Sequence, residues 1–99
     1  MIRPYQDSDK QRLINLCREF WGASCASDLG DFDEEYTSLN IDTMINRGCC
    51  LVSNDVSGFI LLVESTNLCN PIPIAAEVAW YVSPSARGGL GIELLKGAF

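Results

Sequence analysis

The chain is 99 residues long, 47% hydrophobic and 20% charged, a balance that excludes disorder and fits one domain, residues 1–99, with a modest core. Its net charge of −6 argues against general nucleic-acid binding and favours cationic or amine ligands. No run of about 18 apolar residues occurs, so no membrane partner is expected, and the absence of an apolar signal region near Met1 leads us to expect a cytoplasmic location.

Ile2-Arg3-Pro4 reads as a short strand ended by proline. Ser8-Asp9-Lys10-Gln11 fits a capping box, with Asp7 as the alternative cap. Leu13, Leu16, Cys17 and Phe20 then recur at helical spacing, flanked by Ile14 and Trp21, and Gly22 is the expected stop. Residues 23–38 are polar and acidic, with Asp28, Asp31, Asp33, Glu34 and Glu35 around Phe32 and Tyr36. The run lacks the ligand alternation of a calcium loop, and we read it as a solvated loop. A second helix is expected from about Asn40 to Arg47, stopped by Gly48. Cys49–Ser53 and Val56–Val63 form a hairpin about Asn54-Asp55, and Gly58 suggests a bulge or a close backbone approach. Thr66–Pro73 is a loop, and Ile74–Val82 is the central strand.

Five cysteines and no histidine narrow the chemistry. No pair is spaced Cys-x-x-Cys, and we expect Cys17, Cys25, Cys49, Cys50 and Cys69 to be reduced structural residues. The lack of histidine removes His-assisted nucleophiles and most zinc sites, and no metal is expected.

The most informative stretch follows the central strand. Ser83-Pro84 makes a turn, Arg87-Gly88-Gly89-Leu90-Gly91 is a glycine-rich loop, and a helix opens with Leu94-Leu95 in its first turns. Residues without a Cβ let the backbone bend sharply and approach a ligand closely. The unpaired N–H groups of the opening helix attract phosphate, and Arg87 adds a planar fork of donors. The arrangement reads either as an anion cradle or as plain turn punctuation with a solvated arginine. It is neither a P-loop, since no Gly-Lys-Ser/Thr follows, nor a dinucleotide fingerprint.

Val82-Ser83-Pro84, Arg87-Gly88-Gly89-Leu90-Gly91 and Leu94-Leu95 together resemble the coenzyme A loop of the GNAT superfamily of N-acetyltransferases. Setting Arg87 at the family's Arg/Gln position keeps its distance from Pro84 and leaves the loop one residue short. Setting Gly89 and Gly91 at the Gly-x-Gly pair instead brings Ala86 to that position; we favour the first. The resemblance implies an α/β (α+β) fold with a mixed, mainly antiparallel sheet flanked by helices. It implies acetyl-CoA as co-substrate, held by Arg87, Gly88, Gly89, Leu90 and Gly91 and by the strand backbone at Trp80, Tyr81 and Val82. The expected reaction is acetyl transfer to a primary amine of a small molecule or protein. Residues 23–38 would form one wall of the acceptor groove.

Freeing a lysine-like amine of its proton at neutral pH costs about 4.6 kcal/mol, and a base lowers that barrier. Glu77 is the candidate: alternation places it with Ala75, Ala79 and Tyr81, where partial burial raises a carboxyl pKa. Glu64 is a weaker candidate. The family's tyrosine general acid lies beyond the glycine helix, and no residue of this chain is carried over to it. The resemblance thus covers the front of the fold and implies a truncated domain. Its central strand would then be an edge, from which we expect a homodimer. Two other readings stand: a non-catalytic fragment acting through dimerisation or a partner, and a phosphate-binding module for a different ligand.

Overall fold

The structure is a computed structural model that describes residues 1–98; the side chains of Cys25 and Ala26, like Phe99, lie outside the described residues. The sequence reading of Cys25 falls outside with them. In chain order the elements are β1 (Ile2–Pro4), a 3-10 turn, α1 (Lys10–Ala23), a second 3-10 turn, α2 (Glu34–Ile45), β2 (Gly48–Ser53), β3 (Gly58–Ser65), β4 (Ile74–Val82), a third 3-10 turn and α3 (Leu90–Ala98). The four strands form one sheet in the order β1-β2-β3-β4. Every pairing is antiparallel, in keeping with the mainly antiparallel sheet expected.

Two apolar layers hold the sheet between its helices. On one face Leu13, Ile14 and Leu16 of α1 and Ile41 of α2 meet Val52, Phe59, Leu61 and Tyr81. On the other, Leu94 of α3, fully buried, packs with Ile60, Leu62 and Val82. Alternation along β3 produces this division, since successive side chains leave opposite faces of a strand.

The start of α1 is anchored by a buried ion pair. Asp9 accepts from both terminal nitrogens of Arg3 and from the Gln6 amide. The cap is therefore built from Asp9 and its neighbours, and neither Ser8 nor Asp7 supplies it. Gly22 lies inside α1, which continues to Ala23.

α2 begins six residues earlier than the sequence suggested. The Asp33 side chain accepts from the Tyr36 amide and caps it, and Glu34 and Glu35 stand at the positive end of its dipole. The acidity read as a solvated loop is in part a helix start. Gly48 opens β2, and its reason is contact: a Cβ there would lie 1.9 Å from the Leu62 carbonyl oxygen.

β3 begins at Gly58, where a Cβ would lie 3.1 Å from Leu90 and Val82 side-chain atoms, so Gly58 marks a close approach, and the bulge lies in β4. Leu61 pairs with Ala79 and Leu62 with Glu77, so Val78 is the extra residue. A bulge shifts alternation by one. Glu77 therefore shares a face with Trp80 and Val82, and not with Ala79 and Tyr81 as simple alternation suggested.

Candidate functional site

β4 is the outer strand of the sheet, and its far edge is the spine of the site. Ser83 N–H donates to Ser57 O at 2.8 Å, which makes Ser57 and Ser83 a hydrogen-bonded pair. Antiparallel alternation then turns the N–H and C=O of Val82 and of Trp80 away from β3. The Arg87 side chain confirms the direction for Val82, since its Nε donates to Val82 O at 3.1 Å. Trp80 keeps 38% of its surface exposed, and its backbone groups stand on an uncovered edge.

Beyond β4 the chain turns through Pro84–Ala86 and reaches the glycine loop. Gly88 and Gly89 have φ of 139° and 117°, a region where a side chain strains the backbone. A Cβ at either would meet nothing within 4 Å. The glycines thus serve backbone conformation, and their outer face is open. Glu93 N–H bonds to Gly89 O at 3.0 Å, which places the first turn of α3 at Leu90, Gly91 and Ile92. The N–H groups of that turn have no partner within the helix.

Trp80, Tyr81, Val82, Arg87, the loop glycines and Ile92 enclose a cleft of about 380 Å³. All eight residues expected to hold a coenzyme lie on this cleft or, in the case of Leu90, at the helix start beside it. Outward amides on one wall and a helix N-terminus at one end fit a ligand with a polar linear arm and an anionic group. Arg87 supplies the positive charge, its guanidinium 5.7 Å from the Tyr81 ring.

Across β4 lies a second cleft, of about 420 Å³. α1 contributes Phe20 and Trp21, the following loop Phe32, α2 Tyr36, and the bulge of β4 Val78 and Ala79. Cys17 is also in its wall, with its thiol pushed up to about 11 by burial. Burial likewise pushes Cys50 to about 12. Both stay protonated at neutral pH, which makes them apolar filling and not nucleophiles.

Glu77 is exposed and borders neither cleft. It stands immediately before the bulge, opposite Leu62, without the burial expected of it. Glu64 is exposed too. One residue the sequence did not single out is Glu19 of α1. Its Oε1 accepts from Tyr81 Oη at 3.2 Å and from Ser83 Oγ at 2.7 Å, fixing the end of β4 that leads into the glycine loop. Burial, with the bond to Glu19 second, raises the Tyr81 pKa. Nothing in the sequence joins residues 19 and 81, which meet only through the fold. No group of acidic or cysteine side chains among the described residues is arranged to hold a metal ion.

No protein-family model matches the sequence, and no curated protein matches it. The fold does match solved structures. An integron cassette protein from the mobile metagenome of Cole Harbour Salt Marsh superposes with a TM-score of 0.80 at 18% identity, over 97% of this chain and 65% of that one. A GNAT family acetyltransferase of Staphylococcus aureus subsp. aureus USA300_TCH1516 gives 0.69 at 16%, over 98% and 73%. A possible acetyltransferase from Clostridium difficile 630 gives 0.77 at 13%, over 98% and 66%. At such identities the likeness establishes the fold: this chain has the GNAT-like α+β architecture, and it spans about two thirds of the length of these structures. No helix among the described residues is long and apolar enough to cross a membrane.

Proposed function

We propose that the chain transfers an acetyl group from acetyl-CoA to a primary amine. The observation that carries this reading is the single cleft in which an uncovered strand edge, Trp80 to Val82, runs into the Gly88–Gly89 loop and the N-terminus of α3. Acetyl-CoA, when bound, supplies an acyl group activated as a thioester, which the amine takes up with release of coenzyme A. Arg87 and the amides of Gly88, Gly89, Leu90 and Gly91 would hold the pyrophosphate. The outward backbone groups of Trp80 and the outward N–H of Val82, whose carbonyl oxygen already accepts from Arg87, would bond the amide-bearing arm. Fixed strand donors of this kind need no reorganisation as charge develops on an oxygen.

Glu77 is the proposed proton acceptor. Its exposed position at the strand edge, one residue before the bulge, suits transfer through water in place of a buried base. We place the protein in the cytoplasm, where reduced cysteines are the norm. The test is direct: coenzyme A thiol release is followed while the chain is incubated with acetyl-CoA and a panel of primary amines. Amine-dependent release supports the proposal, and none with any amine refutes it.

A second reading has its own observation. Val78 and Trp80 are exposed on a strand edge that has no neighbouring strand among the described residues, a surface suited to pairing with another strand. It supports a homodimer joined through β4, in which strand pairing takes up the edge otherwise assigned to the coenzyme, so that this reading stands as the non-catalytic alternative. Light scattering on the purified chain distinguishes a dimer from a monomer.

A further inference from the structure

The cleft between α1, α2 and the bulge of β4 is separate from the coenzyme cleft, and its walls carry more information than an open acceptor groove needs. We propose that it selects primary amines bearing a compact aromatic or branched apolar body, over unbranched amines such as a peptide lysine. This rests on the transferase reading above and names the substrate class of that same reaction.

The size of the cleft, about 420 Å³, lies within the usual range for small-molecule sites, which are mostly apolar with a few placed polar groups. Phe20, Trp21, Phe32 and Tyr36 provide aromatic surfaces from three successive segments of chain. Two of these surfaces, Trp21 and Phe32, are held in place. Trp21 Nε1–H donates to Gly30 O at 3.0 Å. Arg18 lies over the Phe32 ring, 5.1 Å from its centroid, and pairs with Glu34. A wall fixed before binding loses little freedom when a ring docks on it.

The charge on the rim has one sign. Asp31 and Asp33 line the cleft, and no lysine or arginine does. Asp33 is committed to capping α2 through Oδ1. Asp31 is exposed and takes part in none of the ion pairs among the described residues. A protonated amine entering an apolar cleft therefore meets a carboxylate, whereas a carboxylate ligand meets repulsion. The inner wall includes Val78 and Ala79, the two residues that precede Trp80 with its outward amide. A body seated on the aromatic walls keeps its nitrogen beside the strand that borders the coenzyme cleft.

The test uses nuclear magnetic resonance on the full chain, without coenzyme, and three probes: 2-phenylethylamine, its neutral isostere 2-phenylethanol, and n-propylamine. The expected result is saturable shifts from 2-phenylethylamine, centred on Trp21, Phe32, Tyr36 and Val78. 2-Phenylethanol should bind several-fold more weakly, and n-propylamine should leave those signals unmoved. Asp31→Asn, at an exposed position, should weaken the amine about threefold to fivefold and leave the alcohol unchanged. Equal affinity for n-propylamine, or shifts elsewhere on the molecule, overturns the assignment of the cleft. An unchanged amine affinity in Asp31→Asn overturns the role of that carboxylate. Acetyl transfer is assayed separately with the same amine. Binding in the cleft without transfer faults the transferase reading, and transfer without selectivity faults this one.

Discussion

Replacing Asp9 by asparagine keeps the shape of the side chain and removes its charge. The carboxylate is 1% exposed, with Arg3 Nη1 at 2.6 Å, Arg3 Nη2 at 2.8 Å and the Gln6 amide at 2.9 Å. The bidentate pair with Arg3, foremost, and the Gln6 bond outweigh burial and hold its pKa at about 2, against an ordinary 3.8. A carboxyl whose pKa is lower in the folded state stabilises the fold above its unfolded value of about 3.9. That contribution is lost as pH falls through about 2. The shift by itself corresponds to about 2.5 kcal/mol. Arg3 is 27% exposed, and screening by water reduces the net contribution to about 1–2 kcal/mol. Urea unfolding of both proteins from about pH 7 down to about pH 2 should show Asp9→Asn less stable by that amount at neutrality. For a domain of this size the melting temperature should fall by about 4–8 °C per kcal/mol. The gap should close as the wild type is acidified. A gap that stays constant over the whole range, or no gap at neutral pH, would refute the reasoning.

Gly48→Ala forces a methyl group to within 1.9 Å of the Leu62 carbonyl oxygen; the backbone cannot yield cheaply, and we expect a loss of about 3 kcal/mol, read by urea unfolding. Arg87→Ala should weaken acetyl-CoA binding by about 1.5–3 kcal/mol in calorimetry with little change in melting temperature; unchanged affinity would remove Arg87 from the site. Glu77→Gln should lower kcat about 100-fold while leaving coenzyme affinity intact. A kcat within a factor of about two of the wild type would mean that the proton leaves by another route.

The parts of the molecule that could be read in advance are those set by local chemistry. Ile74–Val82 has the apolar content of a strand, Pro84 ends it, and the glycines after Arg87 mark a loop that only such residues traverse, so β4, the loop and α3 lie where expected. What escaped depends on distant partners. The bulge at Val78 is a property of the β3–β4 register, invisible in β4 alone, and it moved Glu77 to the other face. Glu19 reaches Tyr81 and Ser83 only once α1 is laid on the sheet. Arg3 and Asp9 do not announce a buried pair. The N-terminus of α2 did leave a signal, Asp33 followed by Glu34 and Glu35. It was masked by Tyr36 and Leu39, both exposed, which blur the apolar period on which a helix is usually recognised.

The central claim is that the edge of β4 and the glycine loop hold a coenzyme. Calorimetric titration of the chain with acetyl-CoA tests it most directly. The account predicts saturable binding in the micromolar range, one coenzyme per chain; no binding at millimolar acetyl-CoA would contradict it.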